Sequence, residues 1–468
     1  MVFCSYIIKY IDNYVLKKIW NINEYICWMI DGSIINTNVI ELNLNSHDLK
    51  YLSNSLNNLT NLEILNCKGN KLTKLPETIC DLINLHKLDC SHNNLTELPT
   101  SIGNLSNLYE LNCTLNGLTY LPDTFFNLVN LQILIIEINQ LTELSELICN
   151  LINLIKFNCS NNKINYLPES IDKLINLQYL DISSNKLIKL PEFIGNLTKL
   201  EKLTCNYNKL ETFPNSIGNL INLHTLHCHD NSLNILPESF CNLTKLTICW
   251  CYENNLLKLP KFIGNLKKLE IFNCDNNKLT DLPVSLSKLN KLYELSCSDN
   301  LLNKLPKSIG KLINLHYLAC SNNQLKYLPD SIGNLINLHD LYCRSNKLKK
   351  LPNSIIKLKH LEYIDYIFNS DLVINFNIKR FINNLKTHKT SVNVHNNTIQ
   401  TSLYDSINNL INNNIILEFD VQKITEDNIL DNKTKNILFN FTDDNTMNND
   451  ILMNFEELFN FIYKKIEN

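Results

Sequence analysis

Arginine and alanine are almost missing from this 468-residue chain: Arg344 and Arg380 are the only arginines, and Ala319 is the only alanine. Nucleic-acid binding needs clustered basic residues to neutralise phosphates, and a formal net charge of −3 with so little arginine excludes it. Long apolar runs are also missing. The run from Leu128 to Leu141 is broken by Asn130 and Glu137, well short of the ~18 uncharged residues a spanning helix needs. The first nine residues, Met1 to Lys9, have no basic stretch ahead of an apolar run and no small-residue cleavage site. They do not read as a signal peptide, so a cytoplasmic protein without membrane attachment is expected. No Walker loop, GxGxxG, GxSxG, HExxH or CxxC pair occurs. The carboxylates are scattered, so the sequence names no catalytic residue, cofactor site or metal site, and no enzyme is expected.

What is present is a period. The segment from Leu62 to Leu82 carries leucines at 62, 65, 72, 75 and 82, with Cys67, Asn70, Pro76 and Ile79 between them. Adding 23 reproduces every landmark, from Leu85 and Asn93 to Pro99 and Leu105. Thirteen full units span 62–360 without insertion or deletion, a degenerate unit starts at Val39, and a partial one starts at Leu361. We number each unit from its first leucine, so Leu62 is slot 1 and Asn70 slot 9. Alternating apolar slots 4 and 6 predict a short strand with one buried face. The slot 9 asparagine, held from Asn70 to Asn369, can turn its amide inward and satisfy backbone groups at a bend. All twelve prolines, Pro76 to Pro352, occupy slot 15, and among the full units only Ser145 replaces them. Proline cannot donate to a ladder, so this slot lies outside the sheet. Ile79 and Leu82 then fill the core from a 3₁₀ or short helical turn. The fold expected is an α/β solenoid: a curved horseshoe with a parallel β-sheet on its concave side, 3₁₀ or short-helix turns on its convex side, a helical N-cap and an α-rich C-terminal region.

Units such as Leu328-Pro329-Asp-Ser-Ile332-Gly333-Asn-Leu335 resemble the 23-residue intracellular leucine-rich-repeat class, similar to the Ras-suppressor, Shoc and Scribble-type proteins. The resemblance covers roughly 39–370 and implies recognition of a protein partner, such as a small GTPase or signalling protein, through the concave face. The Asn, Ile, Lys and Leu bias and the tail from Asn393 to Leu410 resemble repeat proteins of large amoeba-infecting DNA viruses.

Seventeen cysteines would suggest a disulfide framework in a small secreted protein. Eleven of them share slot 6, from Cys67 to Cys343, where Ile136 and Ile182 stand in the other two units. The slot is therefore apolar and inward, and a column of free thiols packed as small hydrophobes is expected. Sequons such as Asn94-Leu-Thr96 follow from the wording of the repeat.

Both ends depart from the period. In residues 1–38, Ile7, Ile8, Ile11, Tyr14, Val15 and Ile19 have helical spacing and predict an amphipathic cap. The alternative is an F-box-like adaptor-binding segment, which would make the chain a substrate receptor of a ubiquitin ligase, although the usual Leu-Pro start is missing. In 371–468, Ile378, Phe381, Ile382 and Leu385 fit one helix, residues 399–411 a second, 417–421 a strand and 455–462 a last helix. That region is either a cap or a second binding module.

The slots flanking the buried strand residue face the concave side and read mostly Asn, Asp, Ser, Thr and Lys. Three clusters stand out as candidate partner-binding residues. The first is Tyr207, His227, His229, Ile248, Trp250 and Tyr252 on adjacent units, taken as an exposed hot-spot surface. The second is Ile133, Ile135 and Ile138, in the unit that lacks the proline and cysteine; the third is Tyr293, Tyr317, Tyr342 and Arg344. His227 and His229 also have the spacing of a metal pair, but no third ligand accompanies them. The function expected is a non-catalytic, monomeric binding scaffold.

Overall fold

The computed structural model describes residues 19–31 and 38–385. Sixteen parallel strands form one open, curved sheet in strict sequence order. β1 is Ile19–Trp20 and β2 is Glu41–Asn43; β3 is Ile64–Asn66, and its three-residue form recurs every 23 residues to β16, Tyr363–Asp365. The register follows the period, so Leu65 lies beside Leu88 and Leu88 beside Leu111. On the far side the turns are 3₁₀ helices, such as Glu77–Asp81 and Asn353–Lys357. This is the horseshoe solenoid the repeat implied.

Each landmark has a physical task. Asn93 Nδ2 donates to the carbonyls of Cys67 (3.0 Å) and Cys90 (3.1 Å), while its Oδ1 accepts from Leu72 N (3.0 Å). One amide therefore satisfies buried backbone groups of its own unit and ties it to the preceding one. Proline sits at the N-cap of the 3₁₀ turn with φ near −65° (Pro76 at −67°), where its missing N–H costs nothing. Ser145, the one replacement, caps its turn by accepting from Leu147 N at 3.2 Å. A second asparagine ladder runs along slot 23: Asn84, Asn107 and Asn130 donate to the carbonyls of Thr60, Ile83 and Ser106 at 2.8–3.0 Å. Convex turns pack closely enough that a Cβ at Gly195 or Gly218 would collide with the carbonyl of Ser216 or Ser239.

Slot 8 is left-handed in every unit from Ser46 to Phe368, with φ of 49–66°. Only Gly69 adopts it without steric cost; Leu115 and β-branched Ile138 (φ 52°) do so under strain. The Asn bend dictates the conformation, and the side chains tolerate it.

The fifteen cysteines from Cys67 to Cys343 are all free and buried. Along slot 6, Cys274, Cys297 and Cys320 donate S–H to the slot 5 carbonyls of the next strand at 3.2–3.3 Å, and Cys90 Sγ lies 3.4 Å from Cys113 Sγ. Burial raises the Cys274 and Cys297 thiols well above their ordinary value, which suppresses thiolate chemistry.

At the N-terminal end the sheet starts one strand earlier than the repeat pattern. Ile19, read from its spacing as part of a helix, lies on β1 with its side chain exposed. β1 pairs with β2, and helix α1 (Ile22–Asp31) follows it. Trp20, Tyr25 and Trp28 are fully buried, with ring centroids about 6 Å apart (6.0 and 5.9 Å). Tyr25 Oη accepts from Ser53 N at 2.9 Å, and burial pushes its phenol up to about 12. Ile7, Ile8, Ile11, Tyr14 and Val15 lie outside the described residues. At the other end α2 (Phe376–Asn383) turns Ile378 and Ile382 inward, with Asn375 capping it through Ile378 N. The readings for 399–411, 417–421 and 455–462 fall outside the described residues. Among the described residues no helix is long and apolar enough to cross a membrane.

Candidate recognition face

Slots 3, 5 and 7 of neighbouring units form rows across the concave sheet. In the middle, β9 (Lys202–Thr204), β10 (Thr225–His227) and β11 (Ile248–Trp250) are adjacent, with Thr204 beside His227 and His227 beside Trp250. The residues of the first cluster meet there. The His227 and Trp250 rings stack at 4.1 Å and 8°, those of His229 and Tyr252 stack at 4.2 Å and 9°, and Tyr207 meets His229 edge-on at 5.5 Å. Ile248 extends the block on slot 3, half-buried.

Two expectations change. Tyr252, taken as exposed, is only 6% exposed and His229 3%. Slot 7 leads into the Asn bend, so its side chain lies flat across the preceding unit rather than standing out. Trp250 and His227 therefore carry the accessible aromatic surface. The His227 and His229 ring centroids are 6.4 Å apart, and His229 Nδ1 lies 2.8 Å from Asp230 Oδ2. Among the described residues no three His, Cys, Asp or Glu gather around a common point. Burial, the Lys202 charge and His229 drive His227 down to about 3, so the His227 ring against Trp250 is neutral at physiological pH. Beside it, Thr204 Oγ1 and Asn206 Oδ1 are buried without a hydrogen-bond partner.

In the second cluster Ile133 and Ile135 share β6 (Ile133–Ile135), and all three isoleucines are half-buried. Neighbouring Glu137 accepts from Asn158 (3.0 Å) and Asn161 (3.4 Å), yet burial and Asp181 raise its carboxyl. The third cluster divides. Tyr317 and Tyr342 do approach, at 5.2 Å, and Tyr342 continues to Tyr363 at 5.2 Å. Tyr342, also taken as exposed, is 7% exposed because it is wedged between those two rings. Tyr293 stands on slot 2, in a separate ladder with His316 (4.2 Å), His339 and His360. The Arg344 guanidinium lies 3.8 Å from Asp365 and 5.0 Å from the Phe368 ring. Sequence reasoning missed Tyr363, Asp365 and Phe368 because their unit is degenerate; their rows were nevertheless set by the period.

Comparison with known proteins agrees with this geometry. The description "Leucine-rich repeat region" matches residues 141–248, 203–299 and 294–434, and "Leucine Rich Repeat" matches 61–82 and 84–105. The chain belongs to the leucine-rich-repeat family. Among solved structures, a leucine-rich-repeat protein of Leptospira interrogans is 34% identical, with TM-score 0.65, covering 73% of this chain and 84% of that one. The plant peptide hormone receptor RGFR1, in complex with RGF2, is 27% identical, with TM-score 0.55 and coverages of 76% and 68%. The functional domain of InlJ from Listeria monocytogenes, which includes a cysteine ladder, is 26% identical, with TM-score 0.52 and coverages of 69% and 62%. No curated protein sequence matches the chain. Leucine-rich repeats are typically non-enzymatic scaffolds for protein–protein interaction.

Proposed function

We propose that this leucine-rich-repeat chain is a non-catalytic recognition scaffold whose concave face seats a protein partner, with contact centred on Trp250 and His227. The observation that carries the reading is the double aromatic stack at the C-terminal ends of β10 and β11, flanked by Tyr207 and Ile248. Aromatic anchors held rigid by packing lose little entropy on binding, which is why such residues dominate interface energetics. The unpaired Thr204 and Asn206 oxygens add weight, since buried polar groups left unsatisfied call for a role. The binding of RGF2 by RGFR1 supports a peptide or protein ligand; a small GTPase or signalling protein stays within that class. Free cysteines throughout the described domain suit a reducing, cytoplasmic setting.

The alternative role, a ubiquitin-ligase substrate receptor using residues 1–38, gains nothing from α1. Its large side chains Tyr25 and Trp28 are spent on the core. Affinity purification with the full chain and with Trp250→Ala separates the readings. We expect the partner to be lost with Trp250→Ala at unchanged melting temperature. Retention of the full partner set would remove the aromatic block from the function. Ligase subunits lost only on deletion of residues 1–38 would favour the alternative.

A further inference from the structure

The concave sheet has a recess between its two aromatic blocks. β13 (Glu294–Ser296) and β14 (Tyr317–Ala319) carry only small side chains at slots 5 and 7: Ser296, Ser298, Ala319 and Ser321. One side rises to Trp250 on β11, and the other to Tyr342 on β15 (Asp340–Tyr342). Between β12 (Ile271–Asn273) and β15 the floor spans three strand spacings, about 14 Å.

Carboxylates surround this floor. Along slot 3 the register sets Glu294, Tyr317, Asp340 and Tyr363 side by side, so acid and phenol alternate from strand to strand. Glu294 and Asp340 make no ion pair or side-chain hydrogen bond among the described residues, and burial raises both carboxyls. Asp275, at the β12 edge, is held by Ser296 Oγ at 2.6–2.7 Å and Ser298 N at 2.5 Å. Between Asp275 and Phe368, slots 3, 5, 7 and 8 hold no lysine, and Arg344 is their one cation. A separate observation points to a ligand. Ser321 is 7% exposed and projects from the concave slot 7; its backbone N–H donates to Ser298 Oγ (3.1 Å) and its carbonyl accepts from Asp299 N (2.9 Å) and Asn323 Nδ2 (3.0 Å), while its hydroxyl has no hydrogen-bond partner among the described residues. Arg344 shows the chemistry this end of the face accommodates, a guanidinium between Asp365 and the Phe368 ring.

From this arrangement we infer that the recess over Ser296, Ala319 and Ser321 receives a basic side chain, lysine or arginine, from an extended segment of the protein partner. The cation would sit over the floor in the field of Glu294 and Asp340, its stem against Tyr317 and Tyr342, and Ser321 would accept one of its N–H groups. This specifies the partner's chemistry and rests on the concave-face reading above.

The test uses the full chain and two fluorescent twelve-residue peptides, (Gly-Ser-Arg)4 and (Gly-Ser-Glu)4, with affinity read by anisotropy. We expect the arginine peptide to bind at least tenfold tighter. Filling the floor with Ser321→Leu, or neutralising Glu294 with Glu294→Gln, should weaken it at least fivefold, with melting temperature as the folding control. Glu97→Gln, an equal charge change far from the recess, should leave binding within twofold. No preference for arginine, equal losses from Glu97→Gln and Glu294→Gln, or full binding by a folded Ser321→Leu would overturn the inference. If Trp250→Ala abolishes capture of the natural partner while the arginine peptide fails to bind, the recess falls and the concave-face reading stands.

Discussion

Replacing Asn277 by leucine tests the physical basis of the repeat. Asn277 Nδ2 donates to the carbonyls of Cys251 (3.0 Å), Cys274 (3.2 Å) and Asp275 (3.0 Å), and its Oδ1 accepts from Leu256 N (2.9 Å). Leucine keeps the volume and removes all four bonds. The Leu256 N–H is then buried without a partner, at a cost of about 1–3 kcal/mol, and the Cys251 carbonyl keeps only Asn254 Nδ2 at 3.2 Å. A loss of about 2–5 kcal/mol follows, a large share of the ~5–15 kcal/mol that holds a typical domain. Because each unit touches only its neighbours, the loss should be local. Hydrogen exchange read by mass spectrometry on peptides covering 246–280 should show protection falling about a hundredfold, equivalent to roughly 2.7 kcal/mol, while peptides covering 85–120 change little. Protection at Leu256 within threefold of the parent would refute the assignment of the Asn ladder as the tie between units.

Two more outcomes follow from the same geometry. Burial raises Asp275 to about 7, against the hydrogen bonds from Ser296 and Ser298. The folded chain therefore keeps a proton that the unfolded chain releases near the ordinary carboxylate value, so stability falls as pH rises through that window and levels off above pH 7. Between pH 5 and 8 this amounts to about 3 kcal/mol; Asp275→Asn should flatten the fall in urea midpoint, and an unchanged fall would contradict the reading. Ile138 holds φ 52°, so Ile138→Asn should stabilise by about 1 kcal/mol, whereas Gly69→Ala, at φ 66°, should destabilise by a similar amount in thermal melts.

Much of the fold was legible because the 23-residue register assigns each slot one environment. Leu65, Cys67, Asn70 and Pro76 each told their place by what stood 23 residues away. The legible part ends where the register stops constraining. β1 has no repeat wording, so Ile19 looked helical by spacing alone. The left-handed slot 8 was hidden because Asp230, Tyr207 and Ile138 fill it as readily as Gly69; backbone geometry, not residue type, is what repeats there. The candidate site was legible as rows but not as orientations. Which residues share a face follows from strand alternation. Whether Tyr252 stands out or lies across His229 depends on contact with the preceding unit, and sequence spacing does not carry that information. The recess over Ala319 and Ser321 was not legible for a related reason: it is made by small side chains between large ones.

The claim that the concave aromatic block is where a partner docks is tested most directly by site-specific photo-crosslinking in the full chain. A benzoyl-phenylalanine replaces either Ile248, beside Trp250 on the concave face, or Phe262, exposed on the convex side. The account predicts a discrete crosslinked partner from position 248, suppressed by Trp250→Ala, and none from position 262. Crosslinking from position 262 alone, or from position 248 with no sensitivity to Trp250, would contradict it.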